Sequence, residues 1–324
     1  MFKLSVLADG DGFGHQETAG MTPAHTRRPK LATILAATGW LGFVAAGCES
    51  IRGGAAVPNP SSDPAVAANP APQQVKRPAK HWLRVSQYVM YSDTPLDAND
   101  TLFREIAELP DRIQAELHLP TGESLVQVFL FDTQEKYEAY MAGRYPRLPS
   151  RRAYFISEPR GSGGDDLLVY TFMGDHLRVD LRHELTHATL HGVLKGVPLW
   201  LDEGLAGFFE LPPNQDGVNP THLDTLRRGP FQPDLARLEK LGQVRQMEKP
   251  EYREAWAWVH LMLRGNPAAK TILLDYVQAL RTNPNPGLLL PQLKTALTDP
   301  NAILADHLSK TEFPTVAARG KPPQ

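Results

Sequence analysis

The segment from residue 175 to residue 191 constrains the fold of this chain more than any other. Leu177, Leu181 and Leu185 recur at every fourth position, which is the spacing of one face of an α-helix. Asp175 is a suitable N-cap for that helix, and a glycine that follows the segment is a suitable C-terminal stop. The segment therefore predicts one helix with an apolar face, against which the rest of a domain can pack.

Two histidines of this segment, His183 and His187, lie one helical turn apart and point in the same direction. Imidazoles placed in this way can both reach one zinc ion at about 2.0–2.1 Å. Glu184 is turned by about 100° from His183 around the helix axis. It can therefore face a metal-bound water and take its proton without binding the metal, which is the chemistry of a His-Glu-x-x-His pattern. The alternative interpretation is a surface helix that carries two histidines by chance.

A second apolar segment, residues 199–210, supplies a candidate third ligand. Pro198 suits the first turn of a new helix, and Glu203 lies one turn into it. A catalytic zinc site needs three protein ligands and one open position for water. Glu203 can complete such a site from a second helix. The alternative is a solvated glutamate, which the apolar character of the segment disfavours.

The segments HELTH (183–187) and PLWLDEGLAGFFE (198–210) together resemble the gluzincin, or peptidase-MA-like, zinc metallopeptidases. The closer resemblance is to the uncharacterised peptidase-MA-like family of bacterial lipoproteins. It implies that the zinc ligands are His183, His187 and Glu203, with Glu184 as the general base. It also implies a small sheet whose edge strand, assigned to residues 167–172, lies beside the active-site helix and can pair with an extended peptide substrate.

The chain departs from the related families at two positions. Val193 stands where the metzincins have a third histidine, and Gly207 stands where the thermolysin type has the aspartate of its Glu-x-x-x-Asp pattern. The candidates for carboxylates behind the histidines are therefore Asp180 and Asp202. An oxyanion formed during hydrolysis also needs a donor, and the candidates are Tyr170, Tyr252 and His260.

Strand-like segments precede the histidine motif, and helical segments follow it. The predicted strands are 81–92, 125–131, 153–156 and 167–172. The predicted helices besides those above are 101–118, kinked or divided at Pro110, 133–142, 252–263, 268–281, 288–297 and 301–309. This order predicts an α+β domain, with a small mixed sheet packed on the His-Glu-x-x-His helix and followed by a mainly helical C-terminal lobe. Trp256 and Trp258 are predicted to belong to the core.

Residues 1–48 have the pattern of an export signal, whose true start is better placed at Met21. Basic residues up to Lys30 precede an apolar run, and small residues precede Cys48, the single cysteine. The end of this pattern resembles the lipobox of bacterial lipoproteins, in which the cysteine receives a diacylglycerol. An ordinary signal peptide and an uncleaved anchor are the alternatives. We therefore expect an exported protein that is anchored to a membrane of the bacterial cell envelope through a lipid on Cys48.

Three further segments complete the predicted organisation. Residues 49–80 are rich in proline and alanine and hold too little apolar surface to fold, so they predict a disordered tether. The metallopeptidase domain is predicted for residues 81–313, and a disordered tail for residues 314–324.

The charge balance and the motif together limit the possible functions. The net charge is −2 and no basic run is interleaved with aromatic residues, so a nucleic-acid partner is not expected. Three functions remain: a zinc peptidase acting on protein or peptide, an envelope zinc amidase acting on peptidoglycan, and a non-catalytic interaction module. Glu184 favours the two enzymes, because a structural zinc site has no use for a base. The predicted edge strand favours the peptidase.

Overall fold

A computed structural model describes residues 75–161 and 163–313. This part of the chain is α+β, with one open mixed sheet of five strands and ten α-helices. The predicted α+β class with a small mixed sheet is thereby confirmed. The predicted export signal (1–48), most of the predicted tether (49–80) and the predicted tail (314–324) lie outside the described residues.

The sheet places a different strand at its edge from the one predicted. Its strands are β1 (His81–Val85), β2 (Tyr88–Ser92), β3 (Val126–Phe131), β4 (Tyr154–Pro159) and β5 (Asp165–Phe172). Their order is β1-β2-β3-β5-β4, with β2, β3 and β5 parallel and the two outer strands antiparallel to their neighbours. The prediction that residues 167–172 form the edge is wrong, because β4 pairs along β5 and takes the outer position.

Residues 81–92, predicted as one strand, form a hairpin of β1 and β2. Val85 pairs with Tyr88, so the turn consists of Ser86 and Gln87. Ser86 has a φ of 54°, in the left-handed region that tight hairpin turns require. Because neither turn residue is a glycine or an asparagine, the sequence carries no strong hairpin signal at this point.

The helices follow the predicted order, with two further ones after the motif. Their bounds are α1 (Thr101–Leu117), α2 (Gln134–Arg144), α3 (Leu177–His191), α4 (Leu199–Phe209), α5 (Pro220–Arg228), α6 (Leu235–Leu238), α7 (Lys249–His260), α8 (Pro267–Leu280), α9 (Leu290–Ala296) and α10 (Pro300–Lys310). Helix α1 is not divided at Pro110, because the buried face that includes Leu109 and Ile113 runs past the proline without interruption. Helix α3 begins after His176, so Asp175 is not its N-cap.

The two faces of the sheet carry separate apolar clusters, because successive side chains of a strand point in opposite directions. Val128, Phe155 and Val169 face the main core, which also contains residues of α1 and α3. Phe129 and Tyr170 face a smaller cluster that contains residues of α2. Helix α3 therefore lies on the side of Phe155, and α2 lies on the other side.

Helices α4 and α7 form the centre of the helical part of the main core. Trp200, Trp256 and Trp258 are fully buried there, which confirms the core prediction for the last two. Gly204 lets the two helices approach closely, since a Cβ at this position would lie 2.6 Å from the carbonyl oxygen of Ala255. Within the described part of the chain, no helix has both the length and the apolar character that crossing a membrane would demand.

The chain just before β1 lies on the α2 side of the sheet. Val75 packs against the smaller apolar cluster, and the guanidinium carbon of Arg77 lies 4.8 Å from the centre of the Phe129 ring. A guanidinium over an aromatic face is held by the ring quadrupole as well as by packing. These contacts bring the described part of the predicted tether onto the folded sheet.

Candidate metal centre

Helices α3 and α4 bring the three predicted ligands together. Glu203 Oε2 lies 3.4 Å from His183 Nε2 and 3.6 Å from His187 Nε2. One ligand atom from each residue lies within 4.8 Å of the others, so this group could hold a metal ion. His187 and Glu203 are buried and His183 is partly exposed, which leaves one side of the group open.

Apolar contacts hold the two helices in the orientation that this convergence needs. Leu181 and Leu185 of α3 are fully buried, as are Leu201 and Leu205 of α4. The leucines therefore occupy the core, while the histidine face of α3 meets the glutamate of α4. Packing thus fixes the positions of the ligands before any metal is bound, and a preorganised site loses less conformational entropy on binding.

Asp202 lies behind His187 on the side away from the ligand atoms. Its Oδ1 is 2.9 Å from His187 Nδ1, and its Oδ2 is 3.4 Å from His191 Nε2. Both the aspartate and His187 are completely buried. A carboxylate on Nδ1 directs Nε2 to the metal and makes the imidazole a stronger ligand. Asp202 therefore lies where the sequence analysis placed a candidate carboxylate, behind one of the two histidines.

Glu210, which the sequence analysis missed, has the same relationship to His183. Its Oε2 lies 2.8 Å from His183 Nδ1. The signal was available, because Glu210 comes seven residues after Glu203 and two turns of a helix return to nearly the same face. Asp180, the other predicted candidate, forms its ion pair with Arg152 at 2.8 Å and is not hydrogen-bonded to His183 or His187.

Two arginines hold the end of α4 from which Glu210 extends. Arg112 donates to the carbonyl oxygens of Phe209 at 2.7 Å and Leu211 at 3.0 Å. Arg182, next to His183 in the chain, donates to the carbonyl oxygen of Glu210. Unsatisfied carbonyls at a helix C-terminus attract cations, so these contacts fix the backbone that positions the Glu210 carboxylate.

The electrostatics of the cluster favour a cation. Burial alone would lower the pKa of His183, but its hydrogen bonds to Glu203 and Glu210 raise that pKa well above the ordinary value. The two carboxylates therefore favour a proton on His183. A metal ion can take the place of that proton, because it supplies positive charge to the same carboxylates.

The general-base candidate and one ligand atom have unsatisfied hydrogen-bonding capacity. Glu184 Oε2 and His187 Nε2 are buried, and neither makes a hydrogen bond within the described part of the chain. Buried polar atoms are almost always hydrogen-bonded, and one that is not demands an explanation such as a ligand or an ion. The residues present thus fit a bound metal and a water beside Glu184.

One oxyanion candidate, Tyr252, lines the cleft over this cluster together with Arg151, His183, Glu184 and Glu210. The Tyr252 hydroxyl accepts a hydrogen bond of 2.7 Å from Arg151. Burial and the nearby Glu203 carboxylate raise the pKa of Tyr252 to about 12, so the phenol is protonated at neutral pH. It can therefore act as a hydrogen-bond donor.

The other two oxyanion candidates lie elsewhere. Tyr170 belongs to the cluster on the α2 side of the sheet and contacts Tyr145 through its hydroxyl, 3.2 Å away. His260 is buried against α10, where its Nδ1 lies 2.8 Å from His307 Nε2. Of the three candidates, the structure places only Tyr252 in the described cleft.

Comparison with known proteins adds no assignment to this geometry. No protein-family model matches the chain, and no curated protein gives a significant match. The conclusion at this point is a His183–His187–Glu203 group that could hold a metal ion.

Proposed function

We propose that this chain is a zinc-dependent metallopeptidase, with His183, His187 and Glu203 as zinc ligands and Glu184 as the general base. The observation that carries the proposal is the combination of a three-ligand group on two helices with a buried, unsatisfied Glu184 oxygen in the same cleft. A structural metal site would have no need of that carboxylate.

The spacing of the ligand atoms supports zinc as the metal. Tetrahedral zinc with bonds of about 2.0–2.2 Å requires ligand atoms that are about 3.3–3.6 Å apart. The two distances from Glu203 Oε2 to the histidine Nε2 atoms are 3.4 Å and 3.6 Å. Two imidazoles and one carboxylate are also a ligand set of catalytic zinc sites, which leave a fourth position for water.

The side chains of the cleft then have separate tasks in hydrolysis. A bound zinc ion supplies Lewis acidity, which polarises a carbonyl and lowers the pKa of water. Glu184 accepts the proton of the attacking water and passes it to the leaving amine. Tyr252, kept protonated and held by Arg151, donates a hydrogen bond to the oxygen on which negative charge develops.

The surroundings of the cluster support a peptide as the substrate. Helix α3 contacts β4 and β5, and helices α4 to α10 follow as a helical lobe, which is the arrangement expected for a gluzincin-like domain. The edge strand β4 begins at Tyr154, directly after Ala153 in the wall of the cleft. The outer side of an edge strand can pair with an extended peptide, and this favours a peptidase over a peptidoglycan amidase.

The test is metal content and activity of the purified full-length chain and two variants. We expect about one zinc per chain in the wild type and in Glu184→Gln, and little zinc in His183→Ala, which loses a ligand. Glu184→Gln should reduce cleavage of casein or a peptide library by about a hundredfold or more, because the base is lost while the metal stays.

A matched control shows whether the effect of His183→Ala comes from losing a ligand or from losing a histidine anywhere near this helix. His176 is exposed just before the same helix, so His176→Ala should keep both zinc and activity. A wild-type protein that takes up no zinc after reconstitution would contradict the proposed metal. Full activity in Glu184→Gln would contradict the proposed base, and zinc binding without cleavage of any peptide would leave the amidase or the non-catalytic module.

We also propose, from the N-terminal sequence alone, that the protein is exported and anchored in the bacterial cell envelope through a lipid on Cys48. Growth with a labelled fatty acid should label the wild type and not Cys48→Ser, which should also leave the membrane fraction. Equal labelling of the two proteins would rule out this anchor.

A further inference from the structure

The loop that precedes β4 presents Arg151 to the metal cleft in a fixed position. Thr171 of β5 donates to the carbonyl oxygen of Arg152 at 3.2 Å. The hydroxyl of Tyr154 donates to the carbonyl oxygen of Pro149, which closes the loop on itself. Both anchors lie within two residues of Arg151, so the backbone from which its side chain extends is held by the sheet.

The two arginines of this loop have different surroundings. Arg152 forms an ion pair of 2.8 Å with Asp180 of α3. Arg151 extends across the cleft to α7, where it donates to the Tyr252 hydroxyl at 2.7 Å and its guanidinium carbon lies 5.8 Å from the centre of the Tyr252 ring. Arg151 therefore bridges the edge-strand side and the helical side of the cleft.

The charge of the Glu203 carboxylate, which belongs to the His183–His187–Glu203 group, acts on Arg151. Burial alone would lower the pKa of Arg151, but Tyr252 and the Glu203 carboxylate act on the guanidinium and raise that pKa. A permanent positive charge thus stands beside the position at which a substrate would be cleaved. A guanidinium has five N–H donors in a planar fork, which matches the two oxygens of a carboxylate.

We infer that Arg151 selects peptides with a carboxylate close to the scissile bond, and that the proposed peptidase is therefore specific for anionic substrates. The inference rests on the proposed function. Its basis is the guanidinium that Tyr252 and the anchored loop hold in the wall of the cleft. A peptide can supply this carboxylate in two ways, from the side chain of an aspartate or glutamate or from its free C-terminus.

The experiment compares two libraries of short, internally quenched peptides, identical except that one ends in a free carboxylate and the other in a carboxamide. Cleavage positions are read by mass spectrometry with the zinc-loaded full-length protein. Selection through a side chain predicts Asp or Glu enriched near the cleaved bond in both libraries. Selection through the C-terminus predicts cleavage near the end of the free-acid peptides only.

The role of Arg151 is then tested on individual peptides taken from the preferred set and on their Gln or carboxamide equivalents. Arg151→Gln should lower kcat/KM about ten- to a hundredfold for the anionic peptide, mainly through KM, because a charge-assisted hydrogen bond is lost. The neutral peptide should lose less, and mainly through kcat, because Arg151 also holds Tyr252. The ratio of kcat/KM for the anionic peptide to kcat/KM for the neutral one therefore measures the selection, and it should fall about tenfold or more. Arg151→Lys should retain part of the preference, since it keeps the charge without the fork.

Controls distinguish this inference from simpler effects. Arg147 is exposed four residues earlier and does not line the cleft, so Arg147→Gln makes the same change in charge and should leave the preference intact. Direct binding of the anionic peptide to zinc-loaded Glu184→Gln should weaken when Arg151→Gln is added. Cleavage of both libraries without a preference for anionic peptides would overturn the role inferred for Arg151 and leave the proposed peptidase function standing. No cleavage of any peptide would overturn the proposed function and this inference with it.

Discussion

The Nδ1 atom of His187 lies 2.9 Å from the Oδ1 atom of Asp202, and neither side chain is exposed to solvent. Asp202 precedes Glu203 in the chain, so neighbouring residues of α4 supply the proposed third ligand and a carboxylate to one of the two histidines. A small rotation of α4 would alter both contacts at once. If the group binds zinc as proposed, this coupling should make the metal affinity sensitive to Asp202, although Asp202 is not itself a proposed ligand.

Replacing Asp202 should weaken zinc binding while the ligands remain. We expect Asp202→Ala to raise the zinc Kd by about ten- to a hundredfold, because Nδ1 of His187 loses the acceptor that orients the ring. Asp202→Asn keeps one acceptor oxygen and should have a smaller effect. Competition with a chromophoric chelator measures the Kd. The control is Asp224→Ala, which removes a half-buried aspartate paired with Arg228 on α5 and should leave the Kd unchanged.

Replacing Glu210 should weaken zinc binding by less than replacing Asp202. The Glu210 side chain is 16% exposed whereas that of Asp202 is fully buried, and water screens the interaction of an exposed carboxylate with its histidine. We expect Glu210→Ala to raise the zinc Kd by about tenfold. Exposed Glu138 on α2 provides the matched control, Glu138→Ala. An unchanged Kd in Glu210→Ala would mean that the contact with His183 does not position the ligand.

Gly204 should not tolerate a methyl group, whereas Gly207 should. A Cβ at Gly204 would meet the Ala255 carbonyl oxygen at 2.6 Å and Val259 Cγ2 at 2.7 Å, so α4 and α7 would have to separate. We expect Gly204→Ala to lower the free energy of unfolding by about 1–3 kcal/mol. At Gly207 the nearest atom is Trp256 Cβ at 3.8 Å, an ordinary contact. Alanine is the better helix former, so Gly207→Ala should be neutral or stabilise by up to about 1 kcal/mol.

Denaturant titrations of the two glycine variants measure these free energies. Zinc content gives a second readout, because Gly204 adjoins Glu203, the proposed third ligand. Similar effects at the two positions would show that the close approach of α4 to α7 does not depend on Gly204.

The protein should lose stability on mild acidification, in part through His260. Burial, with the nearby His307 and Arg264, lowers the pKa of His260 to about 3, while the unfolded chain has the ordinary value of about 6.5. Between these two values the unfolded chain binds the proton and the folded one does not, so the free energy of unfolding falls as the pH falls. The linkage relation gives a loss of about 2 kcal/mol from pH 7 to pH 5.

The measurement compares the wild type with His260→Asn at both pH values. The variant leaves a cavity, so its stability at a single pH is not informative. The loss of unfolding free energy between pH 7 and pH 5 should be smaller in the variant than in the wild type. The reduction should be about 2 kcal/mol, the amount that the linkage relation assigns to His260. An identical pH dependence of the two proteins would rule out His260 as the titrating group.

The sequence predicts the metal group well because that information is local. His183 and His187 are one turn apart on one helix, so helical spacing places their side chains on one face. Glu203 lies one turn into the next helix, and it meets the histidines because buried leucines pack the two helices together. Glu210 was missed, although the same periodicity places it two turns after Glu203. The contact between Arg151 and Tyr252 could not be predicted in this way, because it joins a loop before β4 to α7 across 101 positions of the chain.

Strand order is the clearest case of information that is not local. The pattern of residues 167–172 correctly predicts a strand, but a strand has the same alternation whether it lies at the edge or inside a sheet. The position of β5 depends on which strand pairs with its second side, and that strand is β4. The hairpin at Ser86 was missed for a different reason, since its left-handed turn residue is neither glycine nor asparagine.

The contact between Arg77 and Phe129 determines on which face of the sheet anything attached to the N-terminal end of the folded part would begin. Phe129 faces the α2 side of the sheet, whereas Phe155, whose ring centre lies 6.4 Å from that of His187, faces the metal group. An affinity tag, a solid support or a fusion partner joined just before Val75 would therefore begin on the opposite side of the sheet from the His183–His187–Glu203 group. Immobilisation through that point would leave the opening over Glu184 accessible to large substrates.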